Sequence, residues 1–147
     1  MLPIDLFYAD DDADDIEIFT DAVNSVQKEK DITLHSFNDG TGLLQKIREL
    51  QPAYPIIFLD INMPLKNGYE VLKEIRTDPV FYDTPVIMYS TSSNLESVNT
   101  SRELGAHFYA IKPSDFHILV KIIDFVTGID WKQYHSIQSN FIIGKNF

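Results

Sequence analysis

A chain of 147 residues suggests a single domain with one sizeable core, since domains commonly run to about 100–150 residues. Its 44% hydrophobic residues are ordinary for a globular protein, and its net charge of −10 argues against a nucleic-acid-binding surface. The lack of cysteine excludes disulfides and thiolate metal sites, and no apolar run approaches the roughly 20 residues of a membrane span. With no secretion signal visible, we expect a cytoplasmic protein without membrane or nucleic-acid partners.

Short apolar runs alternate along the chain with longer stretches in which apolar residues recur at helical spacing. The runs that predict strands are residues 4–9, 32–37, 56–59, 86–89 and 107–111. Each is followed by a predicted helix, with Asp39 and Ser114 as expected N-caps of the second and fifth helices. This alternation favours a doubly wound α/β fold, in which a parallel sheet of five strands is flanked by five helices.

The last part of the chain differs from the rest. Residues 1–128 contain the five strand–helix units and are predicted to form one domain. Residues 129–147 show no clear period but are too apolar for a disordered linker, with Trp131 and Phe141 among their aromatic residues. We expect this C-terminal extension to pack back on the domain or to form an interface with another chain.

Polar residues follow four of the predicted strands. Asp10 and Asp11 follow the first, Asp60 the third, Ser90 the fourth and Lys112 the fifth. Since the carboxyl ends of parallel strands share one edge of a sheet, these side chains should converge there. Clustered carboxylates without histidine or cysteine suit a hard cation such as Mg²⁺, and a carboxylate can accept a phosphoryl group as a nucleophile.

Three further aspartates follow the first strand. Asp12, Asp14 and Asp15 lie where the first helix should begin, and acidic residues there interact favourably with the helix dipole. We therefore expect them to form a solvated first turn and not to act as metal ligands.

Five segments, in this order and spacing, resemble the receiver domain of bacterial two-component response regulators. They are ADDD at 9–12, IFLDINMP at 57–64, Gly68, PVIMYS at 85–90 and GAHFYAIKP at 105–113. The resemblance covers about residues 3–127 and implies a flavodoxin-like fold with strand order 2-1-3-4-5. It also implies a stand-alone, cytoplasmic signalling domain that accepts a phosphoryl group from a sensor histidine kinase or phosphotransfer protein. Self-catalysed phosphorylation and slow autodephosphorylation would be its only chemistry.

The resemblance implies a role for each site residue. Asp60 would be the phosphoacceptor and, with Asp11, would bind Mg²⁺ through its side chain, with Mn²⁺ or Ca²⁺ as possible substitutes. Asn62 would bind the metal through its backbone carbonyl, and Asp10 mainly through a metal-bound water.

The remaining roles concern the phosphoryl group and the response to it. Lys112 would pair with the Asp60 carboxylate and then with the phosphoryl group, to which Ser90 would donate a hydrogen bond. Ser90 and Tyr109 would form the switch, while Asn62 and Ser92 would tune the phosphoryl lifetime. The peptide bond between Lys112 and Pro113 is often cis in the family, and an X–Pro bond allows the cis form at low cost. The signal would pass to an unknown downstream protein, and a homodimer would use helix four, strand five and helix five, or the extension.

Two alternatives stay open from the residues alone. The chain can be a receiver-like scaffold that works without phosphorylation, although the intact set of acidic, hydroxyl and lysine residues argues against this. Asp60-Ile61-Asn62 is also reminiscent of phosphatases of the haloacid-dehalogenase type, which need a second aspartate where this chain has Asn62.

Overall fold

The computed structural model describes residues 2–134 and 140–147. It contains six parallel strands in the order β2-β1-β3-β4-β5-β6 and five α-helices. Their bounds are β1 (Ile4–Ala9), α1 (Ala13–Val26), β2 (Ile32–Phe37), α2 (Gly40–Leu50), β3 (Pro55–Leu59), α3 (Gly68–Thr77), β4 (Val86–Ser90), α4 (Leu95–Glu103), β5 (Phe108–Ile111), α5 (Phe116–Thr127) and β6 (Ile142–Ile143). The predicted doubly wound fold and the order 2-1-3-4-5 are confirmed, and β6 is an addition at the β5 edge.

The core consists of two apolar layers, one on each face of the sheet. Residues of α1 and α5, such as Phe19 and Ile122, pack on one face. Residues of α2, α3 and α4, such as Leu43, Val71 and Val98, pack on the other. Because the central strands are covered on both faces, they are continuous apolar runs, and this is why the sequence predicted these strands clearly.

The helices begin at polar N-caps. Asp39 caps α2 as predicted, accepting a hydrogen bond of 2.8 Å from the Gly42 N–H. The prediction of Ser114 as the cap of α5 is wrong, because Asp115 has the extended backbone of an N-cap and accepts from the His117 N–H. Both residue types cap well, so the backbone conformation decides between them.

The implied cis peptide bond before Pro113 is also wrong. No peptide bond within the described ranges is cis. The trans form is the lower in energy by about 0.5–1 kcal/mol for an X–Pro bond. Lys112 still reaches the carboxylates that follow β1 and β3 with a trans bond.

The C-terminal extension lies against the fold at its two ends. At its start, the Trp131 indole N–H donates to the Val126 carbonyl of α5, 3.1 Å away. At its end, β6 pairs in parallel with β5, where Ile142 is opposite Tyr109 and Ile143 is opposite Ala110. Residues 135–139, which the predicted extension includes, lie outside the described residues.

No helix in the described ranges is both long and apolar enough to cross a lipid bilayer.

Candidate functional site

Asp60 lies directly after β3, at the carboxyl end of the sheet. It is 6% exposed, and its Oδ1 accepts a hydrogen bond of 2.9 Å from the Ile61 N–H. The chain then turns back tightly, with the Gly68 N–H donating to the Ile61 carbonyl. A Cβ at Gly68 would lie 2.3 Å from the Asp60 carbonyl oxygen, so only a glycine lets α3 start this close to the site.

Asp10, Asp11 and Asp60 form a cluster of carboxylates. One oxygen from each lies within 4.8 Å of the others. Asp10 and Asp60 are buried while Asp11 is exposed, so the cluster opens to solvent on one side. An oxygen-only set of this kind fits a hard divalent cation that retains several waters.

Lys112 reaches this cluster from the end of β5. Its Nζ lies 2.7 Å from Asp10 Oδ2, 2.8 Å from Asp15 Oδ2 and 3.7 Å from Asp60 Oδ1. Burial lowers the pKa of Lys112, but the hydrogen bonds that its ammonium donates to Asp10 and Asp15 outweigh burial and leave the pKa raised. The ammonium is therefore charged and is held nearer to Asp10 than to Asp60.

Asp15 is not simply a solvated residue of the first turn, and the prediction needs correction there. Asp12 is the N-cap of α1, accepting from the Asp14 and Asp15 N–H groups, and Asp14 is exposed. The Asp15 side chain instead turns toward Lys112, which stands 97 positions away in sequence. Nothing local in the sequence indicates that pairing.

Tyr8 contacts the carboxylate cluster, and the sequence did not predict this contact. Its phenol donates a hydrogen bond of 2.5 Å to Asp10 Oδ2, the same oxygen that accepts from Lys112. The available signal was the spacing, because residues two apart on a strand lie on the same face. Burial, followed by the hydrogen bond to Asp10, raises the pKa of Tyr8, so its phenol stays protonated and donates at neutral pH.

The electrostatics of Asp60 follow from this crowding. Burial, and next the neighbouring Asp10 carboxylate, raise the pKa of Asp60 from 3.8 to about 7. Lys112 and the Ile61 N–H act in the opposite direction but are weaker. A cation bound between the carboxylates would offset this repulsion and favour the charged form.

A chain of hydrogen bonds leads from the site to β5. Ser90, 1% exposed at the end of β4, accepts from the Ser92 N–H at 3.2 Å. The fully buried Tyr109 donates from its phenol to the Ser92 carbonyl at 2.8 Å. Burial raises the pKa of Tyr109, and its interactions with Ser90 and Ser92 act in the opposite direction. Ser90 and Tyr109 are therefore connected through the backbone of Ser92.

Asn62 and Ser92 line one small cavity of about 330 Å³ beside the cluster. Asn62 is exposed, whereas Ser92 is half-buried and its hydroxyl donates to the Ser97 hydroxyl at the start of α4. The structure thus brings both residues to one cavity, which Ile61, the residue after Asp60, also lines.

The sequence matches a known family and its members. The pattern of the response regulator receiver domain matches residues 9–124, well over half of the chain. Response regulator Rcp1 of Synechocystis sp. is 37% identical over 75 residues, 51% of this chain and 51% of Rcp1. Chemotaxis protein CheY1 of Helicobacter pylori is 32% identical over 73 residues, 50% of this chain and 59% of CheY1. The chain spans about half the length of the curated relatives it matches.

Solved structures share the fold. A crystal structure of the phosphorylated cyanobacterial phytochrome response regulator RcpA has a TM-score of 0.76 at 25% identity, covering 93% of this chain and 99% of that chain. The Mn²⁺-bound form of Rcp1 has a TM-score of 0.73 at 24% identity, covering 92% of this chain and 99% of that chain. The chain therefore belongs to the response regulator receiver domain family, a family of signalling domains.

Proposed function

We propose that the chain is a response regulator that accepts a phosphoryl group on Asp60 from a phosphohistidine of a sensor histidine kinase or phosphotransfer protein. The observation that carries this proposal is the convergence of three carboxylates with Lys112 at the end of β3. Membership of the family supports it, as does the phosphorylated state in which RcpA was crystallised.

The carboxylates of Asp10, Asp11 and Asp60 would hold a divalent cation, with Mg²⁺ as the expected ion and Mn²⁺ or Ca²⁺ as substitutes. Asn62 would add its backbone carbonyl. When bound, the ion supplies positive charge that offsets both the carboxylate repulsion and the charge on the phosphoryl oxygens.

In the transfer, one Asp60 carboxylate oxygen attacks phosphorus in line with the histidine nitrogen. The new P–O bond forms as the P–N bond breaks, and the electron pair returns to the histidine ring. Lys112 neutralises charge on the transferred group, and the buried Ser90 hydroxyl donates to one of its oxygens. Tyr8 and Lys112 together hold Asp10 in place during this step.

The response would start at Ser90. If the Ser90 hydroxyl moves toward the phosphoryl group, the hydrogen bond that it accepts from the Ser92 N–H must change. The Ser92 carbonyl in turn accepts a hydrogen bond from the Tyr109 phenol. Tyr109 would therefore act with Ser90 as the switch. Asn62 and Ser92, which share the cavity beside Asp60, would tune the approach of the hydrolytic water and so the slow autodephosphorylation.

The output would be contact with a downstream protein. We assign residues 1–128 to the receiver domain and residues 129–147 to an extension that contributes to its stability and its surface. Within a cytoplasmic signalling pathway, a homodimer would use α4, β5 and α5, or the extension.

The test is labelling of the purified chain by acetyl phosphate with Mg²⁺, followed by intact-mass spectrometry. We expect one phosphoryl group per chain, lost in Asp60→Asn and in the Asp11→Ala variant. Asp14→Ala is the matched control, because Asp14 belongs to the same acidic run but is exposed and outside the cluster. An unlabelled wild-type chain would favour the phosphorylation-independent scaffold, and multiple turnovers of phosphate release would favour the phosphatase alternative.

A further inference from the structure

The β5 edge of the sheet is covered by the chain itself. Residues 140–147 lie there, and β6 within them continues the sheet in parallel with β5. Phe141 is 4% exposed and packs in the layer of α2, α3 and α4, while Ile143 is 6% exposed and packs in the layer of α1 and α5. This segment therefore fills the slot between α4 and α5 with apolar side chains on both faces.

Contacts from both helices hold the segment. The Arg102 guanidinium of α4 lies 4.8 Å from the centroid of the Phe141 ring. The Lys121 Nζ of α5 donates to the Phe147 backbone oxygen at 3.0 Å, and Phe125 contacts the Phe147 ring edge to face. The segment is therefore held by a cation–π contact, a charge-assisted hydrogen bond and an aromatic contact, each of which is individually modest.

The segment is connected to the phosphoacceptor site through one residue. The Tyr109 backbone N–H donates to the Phe141 carbonyl at 2.9 Å, and Tyr109 is the β5 partner of Ile142. The Tyr109 side chain donates to the Ser92 carbonyl, and Ser92 donates in turn to Ser90. Tyr109 therefore fixes the segment with its backbone and the β4–α4 loop with its phenol.

Helix α4, which follows the loop that contains Ser92, packs weakly on the rest of the fold. α4 has nine residues, of which only Val98 and Ser101 are buried. A rearrangement of the preceding loop can therefore move α4 away from Phe141 at low cost, compared with movement of a helix that has a full apolar face.

We propose that residues 140–147 occupy the partner-binding slot of this receiver in cis. The partner is a protein with an extended apolar segment that adds to β5 in their place when Asp60 is phosphorylated. The fit is set by what the slot holds now: an aromatic residue followed by two branched aliphatic residues, in parallel with β5. Main-chain hydrogen bonds to β5 would give affinity, and the two apolar layers would give specificity. This inference rests on the phosphorylation of Asp60 proposed above.

Gly144 offers a way to release the segment without touching the site. Its φ is +98°, a backbone conformation that residues with a side chain rarely adopt, and a Cβ there would lie 2.9 Å from Ile122 Cδ1. Gly144→Val should therefore displace the segment from the slot, chiefly because a branched side chain is strained at this positive φ.

The first measurement is hydrogen exchange of the full-length chain with and without acetyl phosphate and Mg²⁺. We expect the amides of 140–147 to exchange at least about tenfold faster in the labelled chain, with the labelled fraction determined separately by intact mass. In Tyr109→Phe, which keeps the ring but removes the phenol, this acceleration should be absent at the same labelled fraction. Unchanged exchange in a labelled wild-type chain overturns the inference and leaves the proposed function intact.

The second measurement does not need phosphorylation. A fluorescent peptide with the sequence NFIIGKNF should bind Gly144→Val at least about tenfold more tightly than wild type without any phosphodonor, because its slot is free. A peptide with aspartate at the position of Ile143 is the control and should bind neither protein. A folded Gly144→Val variant that binds the peptide no better than wild type overturns the inference, even where Asp60 labelling has failed.

Discussion

Tyr8 donates a hydrogen bond of 2.5 Å to Oδ2 of Asp10, and both side chains are fully buried. The same oxygen accepts from Lys112, so one carboxylate is held by a neutral donor and a cation together. Asp10 is thus fixed in position from the protein side, while its other oxygen accepts only the Asp12 N–H within the described residues. This arrangement leaves room for a ligand on that side of the cluster.

Removal of the phenol in Tyr8→Phe should destabilise the metal-free chain by about 1–2 kcal/mol, because a buried carboxylate loses a donor. Urea unfolding at neutral pH measures this loss. Tyr89→Phe is the matched control, since Tyr89 lies edge-on to Tyr8 in the same layer and its phenol makes no hydrogen bond within the described ranges. Equal losses in the two variants would contradict a specific role of the Tyr8 phenol.

Removal of the charge in Asp15→Asn should lower the pKa of Asp60 in metal-free buffer. Lys112 loses its partner at 2.8 Å and is free to move toward Asp60, which favours the charged carboxylate. Carboxyl ¹³C NMR titration gives this pKa directly. Asp14→Asn removes an equal charge from an exposed neighbour, and a comparable shift there would show that only net charge matters.

The free energy of unfolding should depend on pH through the ionisation of Asp60. Its pKa is about 7 in the folded chain against 3.8 as the ordinary value, so the native state binds the extra proton between these pH values. Stability therefore falls as pH rises from about 4 to 7, by about 2–4 kcal/mol for this group alone. In metal-free buffer at pH 8, where the full cost is present, Asp60→Asn should unfold at higher urea concentration than wild type.

Saturating Mg²⁺ should reduce that difference, because an ion between the carboxylates offsets the repulsion that Asp60→Asn removes. A wild-type chain whose urea midpoint does not depend on Mg²⁺ would contradict a metal site at Asp10, Asp11 and Asp60.

A methyl group at Gly68 should slow the phosphorylation of Asp60, although Gly68 is not itself a residue of the carboxylate cluster. In Gly68→Ala the new Cβ would lie 2.3 Å from the Asp60 carbonyl oxygen, so Asp60 or α3 must move. We expect labelling of Asp60 to slow by tenfold or more and stability to fall by about 1–3 kcal/mol. Gly42→Ala in α2 is the control, as its nearest contact is a Phe37 side-chain atom at 3.3 Å. Similar labelling rates in both variants would rule out this role for Gly68.

Truncation after Gly128 should lower the melting temperature, because it exposes the surfaces now covered by Trp131, Phe141 and Ile143. Differential scanning calorimetry measures the change, and light scattering shows whether the truncated chain associates. A truncated chain with unchanged melting temperature and mass would show that the extension contributes nothing to the isolated domain.

The sequence predicted the fold and the position of the acidic cluster because both depend on simple geometry. Fully buried strands are apolar runs, and residues that follow parallel strands meet at one edge, which is how Asp10 and Asp60 could be placed together. The pairing of Asp15 with Lys112 could not be predicted, since the two residues are distant in sequence. Which of the carboxylates of Asp10, Asp15 and Asp60 lies nearest to the ammonium depends on the exact positions of the side chains.

Two other features depend on context that a sequence pattern does not carry. Tyr8 belongs to the apolar run of the first strand, and the direction of its hydroxyl is set by packing, with its ring stacked on Phe19 at a centroid distance of 4.1 Å. β6 has only two residues, too few for a period of two to be recognised, and its pairing depends on the slot between α4 and α5.

The short β6 strand also bears on the colloidal behaviour of the protein. With β6 in place, that side of the sheet ends in a strand of two residues, a poor template for pairing with another molecule. Once the segment leaves, the four-residue β5 strand, buried over most of its length, becomes an open edge of mostly apolar residues. Variants that free the slot, such as Gly144→Val, should therefore aggregate more readily than wild type when no partner is present to cover that edge.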